Sequence, residues 1–267
     1  MKDYSKLKKI RCFLLDMDGT IFLSDRLLPG AQEFLDLLEQ RGIQFYFLTN
    51  NSSRSKIEYA RKLEGFGLNY AEDRIFTSGE ATAIYLKKQK PGARLYVVGT
   101  PPLEREMAAH GFELVQDDPD FAVLGFDMTL TYEKLRRLCG FVRQGLPYIA
   151  THPDINCPVK DGFIPDIGAM IELVAASTGR RPDVVVGKPN PPVVEALVEK
   201  TGFPVDQLGM IGDRLYTDIA LGKAGLTTVL VLTGETKAAD LKQAGFQPDY
   251  VMENLVALAE VYRTFPE

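Results

Sequence analysis

Several features that would place this sequence in a special class of protein are missing from it. There are only three cysteines, Cys12, Cys139 and Cys157, and no C-x-x-C pair. An odd number of widely spaced cysteines argues against a disulfide framework and against a zinc site. No apolar run reaches about 18 residues, so we expect no transmembrane helix. The first residues lack the apolar core of a signal peptide, and the cytoplasm is the expected compartment.

The sequence also lacks an excess of positive charge. Asp and Glu number 36 against 31 Lys and Arg, which gives a formal net charge of −5. An acidic chain is a poor candidate for general attraction to nucleic acid or to an anionic membrane, so we expect neither partner. Hydrophobic residues make up 45% and charged residues 25%, as in ordinary globular proteins. The 267 residues suffice for one large α/β domain or for two domains.

Short apolar runs alternate with segments that have the period of a helix. Residues 10–15 and 43–48 are typical of buried strands, and residues 31–38 show the spacing of an amphipathic helix. Ser52 and Ser53 suit the N-cap of a following helix. Further strands are predicted at 183–187, 207–211, 227–232 and 250–251, and further helices at 189–201, 237–243 and 255–262. This rhythm predicts a parallel sheet covered on both faces.

The middle of the chain has the same rhythm and is predicted to form its own α/β unit. Its predicted strands are 95–99, 121–125 and 147–150, and its predicted helices are 103–110 and 132–143. No fixed-period repeat or linker of distinct composition marks where this unit begins or ends. The fold class predicted for the chain is therefore α/β, with a Rossmann-like, doubly wound parallel-sheet core and a second, smaller α/β unit.

Polar clusters stand at the carboxyl ends of four predicted strands. They are residues 16–20, 49–51, 187–188 and 212–218. Ligands bind at this edge of open parallel sheets, so neighbouring strands would bring these clusters together. The carboxylates, ammonium and hydroxyl in them suit phosphoryl transfer through a covalent aspartyl intermediate. Mg²⁺ would remove the repulsion between carboxylate and phosphate, and a second carboxylate would protonate the leaving oxygen.

The clusters also carry a resemblance to a known family. Asp16-Met17-Asp18-Gly19-Thr20 resembles the first motif, D-x-D-G-T, of the haloacid dehalogenase (HAD) superfamily of phosphatases. Thr49, Lys188 and residues 212–218 resemble its second, third and fourth motifs, in the family's order. The runs that resemble its NagD-type branch, related to the 4-nitrophenyl and phosphoglycolate phosphatases, are 48–55, 151–154, 186–189 and 232–236. The resemblance spans nearly the whole chain.

The resemblance implies a role for each matching residue. Asp16 corresponds to the nucleophile, and Asp18 to the acid for the leaving group and then to the base that activates water. The implied Mg²⁺ ligands are the side chains of Asp16 and Asp213 and the backbone carbonyl of Asp18, with Asp218 as an additional or outer carboxylate. The implied phosphoryl-binding residues are Thr49, Asn50 and Lys188. Asn51 either lines the same pocket or caps a helix.

The distance between the second and third motifs has its own meaning. Asn51 and Lys188 are separated by far more chain than one helix and crossover need. In the family, such an insertion is a large α/β cap of type C2, which excludes water and selects the leaving group. We therefore predict a cap at residues 81–182 and a core formed by residues 1–80 and 183–267. A homodimer formed through the caps is compatible with the family.

Substrate choice is expected to lie in the cap. Residues 151–154 follow a predicted strand, as the core motifs do, and they contain a histidine and a carboxylate. His152 and Asp154 either contact the substrate or form a structural turn with Pro153. The sequence leaves both readings open.

We expect a Mg²⁺-dependent phosphatase of small metabolites, such as a sugar phosphate, phosphoglycolate or a nucleotide-like monoester. A phosphomutase or other phosphotransferase with the same intermediate is one alternative, and a non-catalytic phospho-ligand binder is another. A binder has no need of both a nucleophile and an acid, so the presence of Asp16 and Asp18 argues against it. No G-x-G-x-x-G follows the first strand, which disfavours a dinucleotide-binding dehydrogenase.

Overall fold

The structure is a computed structural model that describes residues 3–159 and 162–266. Its strands are β1 (Cys12–Leu15), β2 (Phe22–Leu23), β3 (Arg26–Leu27), β4 (Gln44–Thr49), β5 (Ile75–Thr77), β6 (Arg94–Val98), β7 (Glu113–Leu114), β8 (Phe121–Leu124), β9 (Tyr148–Ala150), β10 (Asn156–Val159), β11 (Gly162–Pro165), β12 (Val184–Val185), β13 (Leu208–Gly212), β14 (Thr227–Val231) and β15 (Tyr250–Met252). Its α-helices are α1 (Ala31–Gln40), α2 (Lys56–Glu64), α3 (Ser78–Gln89), α4 (Pro101–Ala109), α5 (Tyr132–Arg143), α6 (Ile167–Thr178), α7 (Pro191–Thr201) and α8 (Leu255–Arg263). Short 3₁₀ helices are Leu7–Lys9, Glu72–Arg74, Val205–Gln207, Ile219–Ala224 and Asp240–Gln243.

The chain divides into two compact units. One consists of Met1–Thr49, Ala60–Phe76 and Leu197–Glu267, and the other of Asn50–Tyr59 and Thr77–Ala196. Residues 50–59, 77–80 and 183–196, which the sequence assigns to the core, group with the second unit. That one unit is a catalytic core and the other a cap stays a prediction.

The first unit is built on a six-stranded sheet with the order β15-β14-β13-β1-β4-β5. Strand β1 lies inside the sheet and pairs in parallel with β13 on one side and with β4 on the other. All four of its residues are buried, as expected for a strand covered on both faces. Beside it, Phe34 of α1 and Tyr262 of α8 make edge-to-face contacts with Phe13. The carboxyl ends of β1, β4 and β13 therefore lie at the same edge of this sheet.

The second unit contains a five-stranded sheet with the order β12-β9-β8-β6-β7, whose pairings are parallel. Its core includes Tyr96, Phe126 and Tyr148, together with Cys139, which packs as an ordinary small apolar residue. Two parallel sheets with intervening helices confirm the predicted α/β class. None of the helices in the described residues is long and apolar enough to cross a membrane.

One predicted strand belongs to a different sheet from the one that the sequence suggested. The run 183–187 was expected beside the strands that carry the other motifs. Only Val184–Val185 is a strand, and it pairs with β9 in the sheet of the second unit. An apolar run predicts a buried strand but does not identify its neighbours. Lys188 therefore follows a strand of the second unit.

Helix α2 begins three residues later than predicted. Ser52 and Ser53 are not its N-cap, since the Oγ of Ser55 accepts a hydrogen bond from the N–H of Glu58 at 3.2 Å. The Oε2 of Glu58 in turn accepts a hydrogen bond from the N–H of Ser55 at 2.8 Å. This reciprocal pair is a capping box, and the S-x-x-E spacing that encodes it is present in the sequence.

The structure contains helices and strands that the sequence did not predict, and it lacks one helix that was predicted. Helices α3 and α6 and the hairpin of β10 and β11 were not predicted, although Asp166 caps α6 and Gly179 ends it with φ +74. The helix predicted at 237–243 is wrong, because only the 3₁₀ turn Asp240–Gln243 is present there. By contrast, the predicted bounds of α5 are confirmed.

Candidate active site

Three carboxylates converge at the carboxyl edge of the first unit's sheet. Asp16 follows β1, Asp213 follows β13, and Asp218 precedes the 3₁₀ helix Ile219–Ala224. One carboxylate oxygen from each lies within 4.8 Å of the others. Asp213 and Asp218 are buried, whereas Asp16 is partly exposed. The structure thus brings together the side chains of Asp16 and Asp213 and that of Asp218, which the motifs gave as an additional or outer carboxylate, and metal binding by the three stays a prediction.

The two carboxylate oxygens of Asp213 differ in their hydrogen bonding. Its Oδ2 accepts a hydrogen bond from the N–H of Glu235 at 2.6 Å. Its Oδ1 is buried, and nothing in the described chain donates a hydrogen bond to it. Burial raises the pKa of Asp213 and the charge of Asp218 raises it further, although the Glu235 N–H and Arg214 oppose this. A cation bound between the carboxylates would give the unsatisfied oxygen of Asp213 a partner and would offset the repulsion between Asp213 and Asp218.

Glycines make room for these buried carboxylates. An ideal Cβ at Gly19 or at Gly234 would collide with the Asp213 carboxylate, and one at Gly212 would collide with Asp218. Gly19 also has φ +87, a conformation that other residues rarely adopt. Gly19 and Gly212 lie within predicted motifs, whereas the sequence indicated no role for Gly234. The Thr233-Gly234-Glu235 run was the available signal.

Arg214 supplies one positive charge beside the three carboxylates. Its backbone N–H donates a hydrogen bond to Asp218 Oδ2 at 3.1 Å, and its Nε lies 3.0 Å from Glu235 Oε2. Burial would lower the pKa of the guanidinium, but Asp16 and the other acidic neighbours raise it overall. One cation leaves the group of carboxylates with net negative charge. Oxygen ligands with net negative charge fit a hard divalent cation such as Mg²⁺.

Asp18 stands apart from the three-carboxylate group and is exposed. The turn that holds it is tight, because Gly19 N–H donates to Phe22 O at 2.8 Å and leads into the β2–β3 hairpin. Lys62 Nζ lies 3.7 Å from Asp18 Oδ1 and 3.8 Å from the centre of the Phe22 ring. Sequence reasoning missed Lys62, which looks like an ordinary helix-surface lysine. The predicted metal contact of the Asp18 carbonyl stays a prediction.

In the second unit, Asn50 holds Lys188 at both ends of its backbone. Asn50 Oδ1 accepts from Lys188 N–H at 2.8 Å, and Asn50 Nδ2 donates to Lys188 O at 3.0 Å. The same Nδ2 donates to Asp154 Oδ1 at 3.0 Å. Gly187 permits this approach, since a Cβ there would lie 2.7 Å from Asn50 Oδ1. Three of the predicted site residues are therefore in direct contact, and both Asn50 and Lys188 are buried.

The remaining predicted residues have different surroundings. Thr49 ends β4 in the first unit and is partly buried. Asn51 Oδ1 accepts from both the N–H and the hydroxyl of Ser53, at 2.8 and 2.7 Å, which makes a local turn. His152 is fully buried, with Nε2 3.0 Å from Asp166 Oδ1. A fully buried ring acts on a substrate only through other protein groups. Phosphoryl binding by Thr49 and Asn51 and a cap role for His152 stay predictions.

Comparison with known protein sequences agrees with the motifs. Residues 13–113 match the family model described as haloacid dehalogenase-like hydrolase, and residues 185–258 match one described as HAD-hydrolase-like. The 5'-nucleotidase YutF of Bacillus subtilis is 34% identical over 250 residues, which are 93% of this chain and 97% of the relative. An acid sugar phosphatase of Staphylococcus aureus is 33% identical over 258 residues, which are 96% of this chain and 99% of the relative.

Solved structures agree as well. The 4-nitrophenylphosphatase from Thermotoga maritima is 50% identical, with a TM-score of 0.92 over 96% of this chain and 99% of that chain. A protein described as a nagD protein is 47% identical, with a TM-score of 0.89 over 98% of this chain and 100% of that chain. A glycerol phosphate phosphatase from Mycobacterium tuberculosis, solved with magnesium, is 34% identical, with a TM-score of 0.87 over 95% of this chain and 78% of that chain. The chain therefore belongs to the haloacid dehalogenase-like hydrolases, in the branch of NagD-like and 4-nitrophenyl phosphatases that its motifs predicted.

Proposed function

We propose that this protein is a Mg²⁺-dependent phosphatase that hydrolyses small phosphate monoesters through an aspartyl phosphate on Asp16. The observation that supports this most directly is the group formed by Asp16, Asp213 and Asp218, in which one buried oxygen of Asp213 lacks a hydrogen-bond donor from the described residues. The side chains of Asp16, Asp213 and Asp218 and the backbone carbonyl of Asp18 would hold the ion. When bound, Mg²⁺ would offset the negative charge that otherwise keeps a carboxylate and a phosphate apart.

The residues of the chain then divide the reaction into two steps. In the first, an oxygen of Asp16 attacks phosphorus, the bond from phosphorus to the ester oxygen breaks, and Asp18 gives that oxygen its proton. In the second, Asp18 takes a proton from water, the water oxygen attacks phosphorus, and Asp16 leaves as a carboxylate. On the strength of their places in the motifs, Thr49, Asn50 and Lys188 are proposed to bind the phosphoryl oxygens.

The substrate is proposed to be a small phosphate monoester of the kind that the relatives' names indicate. Those names include a nucleotidase, an acid sugar phosphatase and a glycerol phosphate phosphatase. They share a phosphoryl group and differ in the leaving alcohol. A phosphomutase would use the same aspartyl phosphate but would pass it to a sugar hydroxyl instead of water.

The test is hydrolysis of 4-nitrophenyl phosphate by protein treated with EDTA. We expect no turnover without metal, recovery with Mg²⁺, and inhibition by beryllium fluoride that requires Mg²⁺. Asp16→Asn should lower kcat at least about a thousandfold, as loss of a nucleophile does. Asp73→Asn, which changes an exposed carboxylate of the same unit, is the matched control and should retain full activity. Full activity of metal-free protein, or of Asp16→Asn, would contradict the proposal.

A further inference from the structure

A line of buried polar residues in the second unit connects Asn50 to three residues, Asp166, His152 and Ser78, that have no part in the chemistry above. It runs from Asp166 through His152 and Ser78 to Asn50, and these residues are 3%, 0%, 1% and 6% exposed. Buried polar groups cost free energy unless they are hydrogen-bonded, so a line of four suggests a specific arrangement that the fold preserves.

The line starts at the N-terminus of α6. Asp166 Oδ1 accepts a hydrogen bond from Ile167 N–H at 2.7 Å and lies 3.0 Å from His152 Nε2. The other ring nitrogen, Nδ1, lies 3.1 Å from Thr151 Oγ1 and 3.4 Å from Ser78 Oγ. Both nitrogens therefore contact protein groups, and the ring orientation is fixed from two sides.

The line ends on the backbone of Asn50. The hydroxyl of Ser78 donates its one proton to the carbonyl of Asn50. The side chain of Asn50 is held separately, by Asp154 and by the backbone of Lys188. Residues 151–154 therefore fix Asn50 at two points, its backbone through His152 and Ser78 and its side chain through Asp154.

We propose that His152 is a positioning residue, which acts through Ser78 to fix Asn50 and thereby Lys188 for phosphoryl binding. This inference rests on the proposed function. Because Asn50 and Lys188 would contact the phosphoryl group, which all substrates share, residues 151–154 support every phosphate ester alike. They do not choose among leaving alcohols, which is the role that the sequence suggested for His152 and Asp154.

The primary variant is Ser78→Ala, which removes one hydroxyl and leaves the ring of His152 in place. His152→Leu is the second variant. The matched control is Thr100→Val, since Thr100 is also buried and its hydroxyl also donates to a backbone carbonyl of the same segment, that of Ser53, at 2.7 Å. Ser78→Ala and Thr100→Val therefore lose the same kind of hydrogen bond, but only Ser78 reaches Asn50.

The readouts are the inhibition constant of inorganic phosphate and kcat/KM for 4-nitrophenyl phosphate, glycerol phosphate and a nucleoside monophosphate. For Ser78→Ala and His152→Leu we expect phosphate inhibition to weaken about threefold to tenfold, the range for one lost hydrogen bond. We expect kcat/KM to fall by the same factor for all three esters. Thr100→Val should lose thermal stability like Ser78→Ala and keep the wild-type inhibition constant.

A rescue pair tests the other end of the line. Asp166→Asn keeps an oxygen for the ring and for the helix cap and should remain close to wild type in phosphate inhibition. Asp166→Ala should weaken inhibition by phosphate about as much as His152→Leu does.

Three results would overturn the inference: a loss confined to one ester, an unchanged inhibition constant in Ser78→Ala, or an equal loss in Thr100→Val. Failure of the proposed function would appear differently, as wild-type protein that hydrolyses no ester with Mg²⁺ and is not inhibited by phosphate.

Discussion

Gly19 occupies a position where a side chain is excluded for two reasons. Its φ is +87, and an added Cβ would collide with the Asp213 carboxylate. Gly19→Ala should therefore weaken Mg²⁺ binding about tenfold to a hundredfold, as changes next to metal ligands do. Mg²⁺ titration by calorimetry would measure this.

Gly42→Ala is the control for backbone strain. Gly42 has φ +63 but open space around its Cα, so alanine there costs about 1–2 kcal/mol of strain and touches no ligand. Both variants should unfold at lower temperature, and only Gly19→Ala should change Mg²⁺ affinity. Equal Mg²⁺ affinity in the two variants would refute the explanation.

Asp18 should matter most for leaving groups that need a proton. The leaving group of an alkyl phosphate is a strongly basic alkoxide, which needs a proton as it departs. The leaving group of 4-nitrophenyl phosphate is 4-nitrophenolate, a weak base that departs with little need of a proton. Asp18→Asn should slow the phosphorylation of the enzyme by alkyl phosphates about a hundredfold or more, and by 4-nitrophenyl phosphate much less. Single-turnover rates separate this step from the later attack of water. An equal loss for both esters would exclude the acid role.

The motifs predicted that Asp16 and Asp213 lie together but not which side chains surround them. Asp16 and Asp213 follow strands with recognisable signals, and the structure places them together. The contact between Asn50 and Asp154 joins residues 104 positions apart, and no local pattern encodes such a pair. Lys62 was invisible for a different reason, since a lysine on a helix is ordinarily solvated.

At the scale of the elements, the capping box of α2 gives a prediction about pH. The N–H of Ser55 donates to Glu58 and lowers the pKa of that carboxyl group. A carboxyl whose pKa is lowered by folding stabilises the protein above its unfolded value, about 4.3, and this stability is lost as the pH falls through the folded value. Glu58→Gln should therefore cost about 0.3–1 kcal/mol at neutral pH, and this cost should shrink only as the pH falls below the unfolded pKa, about 4.3, towards the lower folded value.

Glu64→Gln is the control in the same helix. Glu64 lies at the C-terminal end of α2, where a negative charge is unfavourable, so its neutralisation should leave stability unchanged or raise it slightly. Thermal unfolding followed by circular dichroism, from neutral pH down to below the folded pKa of Glu58, would measure both variants. A Glu58→Gln deficit that does not change with pH would contradict the role of the charge.

The elements that sequence predicted well are those with strong local signals. Helix α5 combines an amphipathic pattern with Thr131 as N-cap, whose side chain accepts from Lys134 N–H. Strand β12 shows the limit, because two valines in an apolar run can complete either sheet. The identity of the neighbouring strand depends on the packing of distant segments, which the local pattern does not contain.

At the scale of the whole molecule, we expect the three carboxylates proposed to bind Mg²⁺ to lower the stability of the metal-free protein. Two buried carboxylates, Asp213 and Asp218, repel each other in metal-free protein. Asp213→Asn removes one charge and keeps an oxygen for the Glu235 N–H, so this variant should unfold at a higher temperature than wild type in EDTA. Mg²⁺ at 100 times its Kd should stabilise wild type by about 2.7 kcal/mol.

Mg²⁺ should stabilise Asp213→Asn little or not at all. The difference in unfolding temperature between the variant and wild type should therefore shrink or change sign when Mg²⁺ is added. Scanning calorimetry with and without Mg²⁺ measures this, and Asp73→Asn controls for loss of an exposed carboxylate. An unfolding temperature of Asp213→Asn below that of wild type in EDTA would show that the repulsion is not a net cost.

The sequence predicted a two-part α/β chain but not the extent of each part. No change in composition marks residues 50–59, which nevertheless group with the second unit. Assignment to a unit depends on which segments pack together after folding, so it could be read only from the structure.

The pairing of β1 with β13 has a consequence for how the protein is synthesised. Leu15 leaves the ribosome nearly two hundred residues before Gly212, and its sheet cannot be completed until β13 follows. At about 5–20 residues per second, the delay is on the order of ten to forty seconds. During this time the apolar residues of β1 lack one of their two neighbouring strands, while Thr77–Ala196, a continuous stretch of the second unit, is synthesised and becomes available to fold before β13. We expect nascent chains halted before residue 208 to depend on chaperones that bind exposed apolar segments.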